Sequence, residues 1–138
     1  MTLNQQEKSD LARYRIGKAH SLILDAETLL SARSWASSAN RSFYAVLSAA
    51  RALLALRGQE PESHEGVKVM LARDYIKGGL LPVGFGEIMR VLQARRMDSD
   101  YGDYIEITEP EARDSLAKAK EFVHAAASLV EKVLKENQ

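Results

Sequence analysis

Trp35-Ala36-Ser37-Ser38-Ala39-Asn40-Arg41-Ser42-Phe43-Tyr44-Ala45-Val46-Leu47-Ser48-Ala49-Ala50-Arg51-Ala52-Leu53-Leu54-Ala55-Leu56-Arg57-Gly58 is the stretch that decides the fold. It runs from Trp35 to Arg57 without a Pro or Gly. Apolar side chains recur at Ala39, Phe43, Val46, Leu47, Ala50, Leu53 and Leu54, the three-and-four spacing of one helix face. Gly58 supplies the C-terminal stop.

The chain on either side reads the same way. From about Asn4 to Ala32, Leu11, Ile16, Ala19, Leu22, Ile23, Ala26, Leu29 and Leu30 keep the helical spacing, with Arg15 on the same stripe. A shorter helix is predicted from Ser63 to about Lys77, ended by Gly78-Gly79. Another is predicted from about Gly84 to Met97, with Phe85, Ile88, Met89 and Leu92 inward. The last opens at Thr108-Glu109-Pro110-Glu111. There Thr108 caps, Pro110 fits the first turn and Glu111 completes a capping box. It runs to about Lys135. Ile105-Glu106-Ile107 alternates but is too short for more than an extended linker. The expected architecture is all-α, an antiparallel bundle of about five helices in one domain spanning 1–138.

Composition narrows the function classes. The chain has 138 residues, with 19 Lys and Arg against 19 Asp and Glu, so no molecule-wide basic field exists. With no Cys, thiolate nucleophiles, disulfides and Cys-based metal sites are excluded. That absence and the polar N-terminus fit a cytoplasmic protein, and no run approaches a membrane span. Neutrality is not uniformity. Thr28 to Gln59 holds Arg33, Arg41, Arg51 and Arg57 and no acid. Asp98 to Glu111 holds six acids and no base. An arginine beside an aromatic such as Tyr44 suits a phosphate or a base. It suits equally an ion pair with an acid such as Asp100.

Asn40 to Leu54 resembles the second-helix signature of small prokaryotic HEPN-domain proteins: Asn-Arg, a small residue, an aromatic, Tyr, Ala, then Ala-Ala-basic-Ala-Leu-Leu. Ser63-His64-Glu65-Gly66-Val67 is similar to that family's Ser-His-x-Gly-Val motif. Arg96-Met97-Asp98-Ser99-Asp100-Tyr101-Gly102-Asp103 is similar to its Arg-x-x-small-Asp-Tyr segment. A final helix with Ala119, Glu121, Phe122 and Val123 completes a match over roughly residues 8–135. The resemblance implies a helical bundle, usually a homodimer, associated with RNA or nucleotides. Many such proteins are toxins paired with a minimal nucleotidyltransferase antitoxin. Many are metal-independent ribonucleases, whose site pairs an Arg with a His within two further turns, contributed by both protomers across the dimer. Some are nucleotidylylated on a tyrosine near the third motif, which makes Tyr101 and Tyr104 candidates here.

Arg41 matches that Arg, but Val46, Leu47 and Ser48 stand where the His is needed. None of them titrates near neutrality. The resemblance therefore implies a module that binds RNA, a nucleotide or a nucleotidyltransferase partner through Arg41, Tyr44, Arg51, Arg96, Asp100 and Tyr101, without cleaving RNA. The alternatives are a ribonuclease using Arg41 with His64, and a purely structural homodimer in which the polar cluster only holds the fold.

Other constellations are weaker. His20 and His124 lack ligand spacing, with only Glu121 one turn from His124, so no metal is expected. Asp98 to Glu109 mimics a calcium loop, but Asp103 stands where the sharp turn wants Gly. Trp35, Phe43, Phe85 and Phe122 read as core, with Trp35 half exposed at a Ser-rich junction. Gly78 to Gly86 is glycine-rich yet lacks the Lys of a phosphate loop, and no cofactor motif is present.

Overall fold

The computed structural model describes residues 2–101 and 106–136, the side chains of 99–101 excepted. The helices are α1 (Gln5–Ser31), α2 (Trp35–Ala55), α3 (His64–Leu71), α4 (Gly84–Tyr101) and α5 (Glu109–Glu136), and a π-helical turn, Ala72–Ile76, follows α3. Among the described residues there is no strand, and no helix is long and apolar enough to cross a membrane.

Cross-helix pairs fix the directions. Ser38 and Ser48 of α2 donate hydroxyl hydrogen bonds to the carbonyls of Ala26 and Arg15 of α1, at 2.8 and 2.9 Å, so α1 and α2 run antiparallel. Arg13 with Glu131 and Lys120 with Glu27 set α5 antiparallel to α1. Phe85 stacks on Phe122 at 5.0 Å, and Arg95 reaches Asp114 at 2.8 Å, so α4 and α5 are antiparallel too. The four long helices thus alternate in direction, with α3 and the π turn bridging α2 and α4.

α2 is the axis of the bundle and packs against α1, α3, α4 and α5. Fourteen of its 21 residues are buried, against four of 27 in α1, which explains why its sequence is apolar nearly all round. Ala45, Ala49, Ala50 and Ala52 are fully buried, and so are Ala12, Ala19 and Ala26 at seven-residue spacing in α1. These small side chains let the backbones approach closely. Phe43, Val46, Leu53 and Leu54 fill the core alongside Leu92, Phe122 and Val130.

The helix ends follow from local chemistry. The side chains of Asn4 and Glu7 form a capping box on α1, and those of Thr108 and Glu111 form the expected one on α5. α1 ends in a Schellman-type turn, with Ser34 N–H donating to Leu29 O and Arg33 N–H to Leu30 O. The residue in the left-handed position is Arg33 (φ 64°), where Gly is usual. Its guanidinium lies 5.9 Å from the Trp35 ring. Ile107 is buried with Ala39 and Ala112 and anchors the entry to α5, and Trp35 packs half-buried beside them.

Two boundaries differ from the sequence reading. The helix expected over 63–77 is α-helical only to Leu71, then widens into the π turn. That widening seats Tyr75 inside, where its hydroxyl donates to Leu53 O at 2.5 Å and burial pushes the phenol pKa up. The helix expected to end at Met97 continues to Tyr101, because no Gly or Pro intervenes. Phe43, Phe85 and Phe122 are core as expected.

Candidate functional site

Arg41, Tyr44, Ser48 and Arg51 fall at i, i+3, i+7 and i+10 of α2 and form one wall of a groove. Arg41 and Arg51, about 80° apart on a helical wheel, both reach it. The opposite wall is α1, with Leu11, Tyr14, Arg15, Lys18 and Leu22. The groove is an open cleft of about 580 Å³, within the usual size of small-ligand sites. Among the described residues its lining includes Arg15, Lys18, Arg41 and Arg51 and no acid.

The four cations are not equivalent. Arg15 is held bidentately by Glu60 at 2.7 and 2.8 Å, and it also donates to Arg51 O at 3.2 Å. Its charge is largely compensated. Arg51 donates to Pro61 O at 2.7 Å, a neutral acceptor, so it keeps its charge while its position is fixed. Lys18 and the exposed Arg41 form no ion pair among the described residues. They are the cations most open to an incoming anion.

Tyr44 joins this groove to a second cluster behind it. Its ring meets Phe43 edge-on at 5.2 Å and His64 at 6.4 Å, and the Arg96 guanidinium lies 5.6 Å from its centroid. His64 also contacts the Phe43 ring at 5.4 Å. Ser63 caps α3, its hydroxyl accepting from Gly66 N–H at 2.9 Å, so His64 packs across the middle of α2. Burial and the neighbouring Arg96 and Arg51 hold the His64 pKa below 6.5. The imidazole is therefore neutral at pH 7. The Gly of the Ser-His-x-Gly-Val segment has a steric reason. A Cβ on Gly66 would lie 3.0 Å from Pro61 Cβ, in the residue whose carbonyl positions Arg51.

Arg95 and Arg96 have separate tasks. Arg95 is turned into the α4–α5 interface, bonded to Asp114 at 2.8 Å, Ser115 Oγ at 3.0 Å and Glu111 O at 3.3 Å. It pins the bundle, while Arg96 faces the Tyr44 cluster.

Of the residues singled out in the sequence, the structure brings Arg41, Tyr44, Arg51, Arg96 and His64 to one region of the bundle. The side chains of Asp100 and Tyr101, and Tyr104 as a whole, lie outside the described residues, as does most of the calcium-like stretch. Arg51 donates to the Pro61 carbonyl, and the ion pair with an acid such as Asp100, the alternative to a phosphate contact, falls on a side chain outside the described residues. Val46, Leu47 and Ser48 are buried, and the Ser48 hydroxyl is committed to Arg15 O. His20 and His124 share a shallow cleft between α1 and α5, but the described residues contain no group of three or more His, Cys, Asp or Glu able to hold a metal. Sequence reasoning missed the α1 wall. Its signal was Leu11, Tyr14 and Lys18 at i, i+3 and i+7, an aromatic and a cation beside the stripe that points inward.

A four-helix bundle with a cationic groove on its second helix and a Ser-His-x-Gly-Val helix start beside it defines the class. The chain belongs to the HEPN domain family, whose model matches residues 12–132. It is similar to a "UPF0332 protein" of Thermotoga maritima, 30% identical over 91% of this chain and 95% of the relative. It is also similar to a Methanocaldococcus jannaschii protein named "Putative toxin MJ0142", 29% identical over 79% of this chain and 74% of the relative. A third relative, a "UPF0332 protein" of Archaeoglobus fulgidus, is 28% identical over 89% of this chain and 98% of its own length.

Proposed function

We propose that this HEPN-type module binds RNA or nucleotide phosphate in the α1–α2 groove and does not cleave it. The supporting observation is the lining of that groove. Among the described residues, two cations without ion pairs, Lys18 and Arg41, and one fixed by a neutral carbonyl, Arg51, line a cleft that contains no acid. Such a surface attracts phosphate, and among the described residues Glu60, on Arg15, is the one carboxylate bonded to a lining cation. The name of one relative, "Putative toxin MJ0142", supports a toxin-type module.

Cleavage needs a general base or acid within reach of the phosphate. Val46 and Leu47 have no titratable group, and Ser48 spends its hydroxyl on a backbone carbonyl. Among the described residues, His64 is the titratable base beside Tyr44. It is neutral, as a base must be, but lies against Phe43 rather than along the groove lining. Incubation of labelled RNA with the purified protein in EDTA, beside Arg41→Ala and His64→Ala, tests the proposal. Retention of intact RNA by wild type, weakened by Arg41→Ala, is expected. Cleavage abolished by both substitutions would overturn it and establish His64 as the missing group. No retention by wild type would remove the phosphate reading altogether.

A further inference from the structure

The α1 wall holds side chains that the core does not require. Tyr14 is 69% exposed, which is unusual for a large aromatic, and it lies at the groove edge beside Leu11 and Lys18. The hydrogen bonds from Ser48 and Arg15 put residue 15 level with residues 48–51 of the antiparallel α2. On that register Tyr14 stands across from Arg51, and Lys18 stands across from Tyr44 and Ser48. Each wall therefore contributes one aromatic and at least one cation, and an aromatic on one side faces a cation on the other. Tyr14 and Lys18 are about 6 Å apart along the helix axis.

We propose that Tyr14 and Lys18 form a base-stacking and phosphate subsite for single-stranded RNA, completing the α2 wall. The inference rests on the phosphate reading of the groove and names the form of RNA that fits. A cleft lined by Leu11, Tyr14, Leu22, Tyr44 and Leu47 between its cations is matched by an unstacked base with a phosphate on either side. A duplex hides its base faces and offers phosphates, 2′-hydroxyls and polar base edges, which leaves that apolar lining without a partner.

The test uses the full chain and a fluorescent eight-nucleotide RNA of mixed sequence, alone or annealed to its complement, titrated at several salt concentrations. Wild type is expected to bind the single strand more tightly than the duplex. Tyr14→Ala weakens single-strand binding by about fivefold or more, the low end for one lost stack, with the salt slope unchanged. Tyr14→Phe restores it. Lys18→Ala reduces the slope of log K against log salt by about 0.7, the loss of one phosphate contact. Both positions are exposed, and thermal melting checks that the variants stay folded. Weakening by Arg41→Ala with no change for Tyr14→Ala overturns the subsite and leaves the phosphate reading standing. Equal affinity for duplex and single strand also overturns the subsite. No binding of either RNA by wild type overturns both.

Discussion

The two walls of the groove are built on opposite terms. The α2 wall is the solvent edge of the most buried helix in the bundle, so Arg41, Tyr44 and Arg51 stand on a backbone held from several sides. The α1 wall belongs to a helix with four buried residues, and Tyr14 and Lys18 project from it into solvent. One wall is stiff because the fold needs it. The other can change its chemistry with little cost to stability. Ligand preference is therefore easier to alter on α1, whereas the position of the phosphate contacts is set by α2.

The contrast is sharpest in a paired truncation. Phe43→Ala should lower stability by about 3–5 kcal/mol, because it empties a core site and removes the surface on which Tyr44 and His64 rest. Tyr14→Ala should change stability by less than about 0.5 kcal/mol. Urea unfolding of the two variants measures both, and similar losses would erase the distinction between the walls.

Gly66→Ala probes how the α2 wall is positioned. The added methyl presses on Pro61, and about 1–3 kcal/mol of destabilisation is expected from overpacking. Because Pro61 O holds Arg51, RNA binding should weaken as well. Stability lost with binding intact would show that Arg51 is not a contact.

Glu60→Gln tests the compensated cation. The Arg15–Glu60 pair is partly exposed on the carboxylate side, so its removal should cost about 1 kcal/mol or less. It uncovers the Arg15 charge in the groove, so binding should strengthen and the salt slope steepen. Unchanged binding would place Arg15 outside the ligand's reach.

The smallest effect is a pH dependence. His64 titrates below 6.5 in the folded protein, so the unfolded chain takes up its proton first as the pH falls. Its contribution to stability is therefore complete above pH 6.5, declines as the pH drops below that value, and stops declining once the folded-state pKa is passed. Urea unfolding at several pH values between 7.5 and 5, on wild type and His64→Gln, should show a shallower decline in the variant. An NMR titration placing the His64 pKa at or above 6.5 would contradict the neutral imidazole.

Most of the fold was legible in the sequence because helix signals are local. The three-and-four spacing of Ala39, Phe43, Val46, Leu47, Ala50, Leu53 and Leu54, the Thr108–Glu111 box and the Gly58 stop act over a turn or two of chain. The π turn was not legible, because Tyr75 is drawn inward by a carbonyl 22 residues away. The site divides along the same line. Arg41, Tyr44 and Arg51 share one helix, so their common face follows from helical geometry. That Tyr44 receives Arg96 on its ring and touches His64 depends on how three helices pack.

The sequence by itself determined an all-α bundle, the family to which the chain belongs, and the absence of a titratable side chain at positions 46–48. Tertiary structure alone decided which arginines keep a charge to offer. Glu60 compensates Arg15, Pro61 O steadies Arg51, and Asp114 takes Arg95 into an interface. It also made α1 the second wall. Charge compensation and groove walls are relations between residues far apart in the chain, and they come into being only when the helices pack.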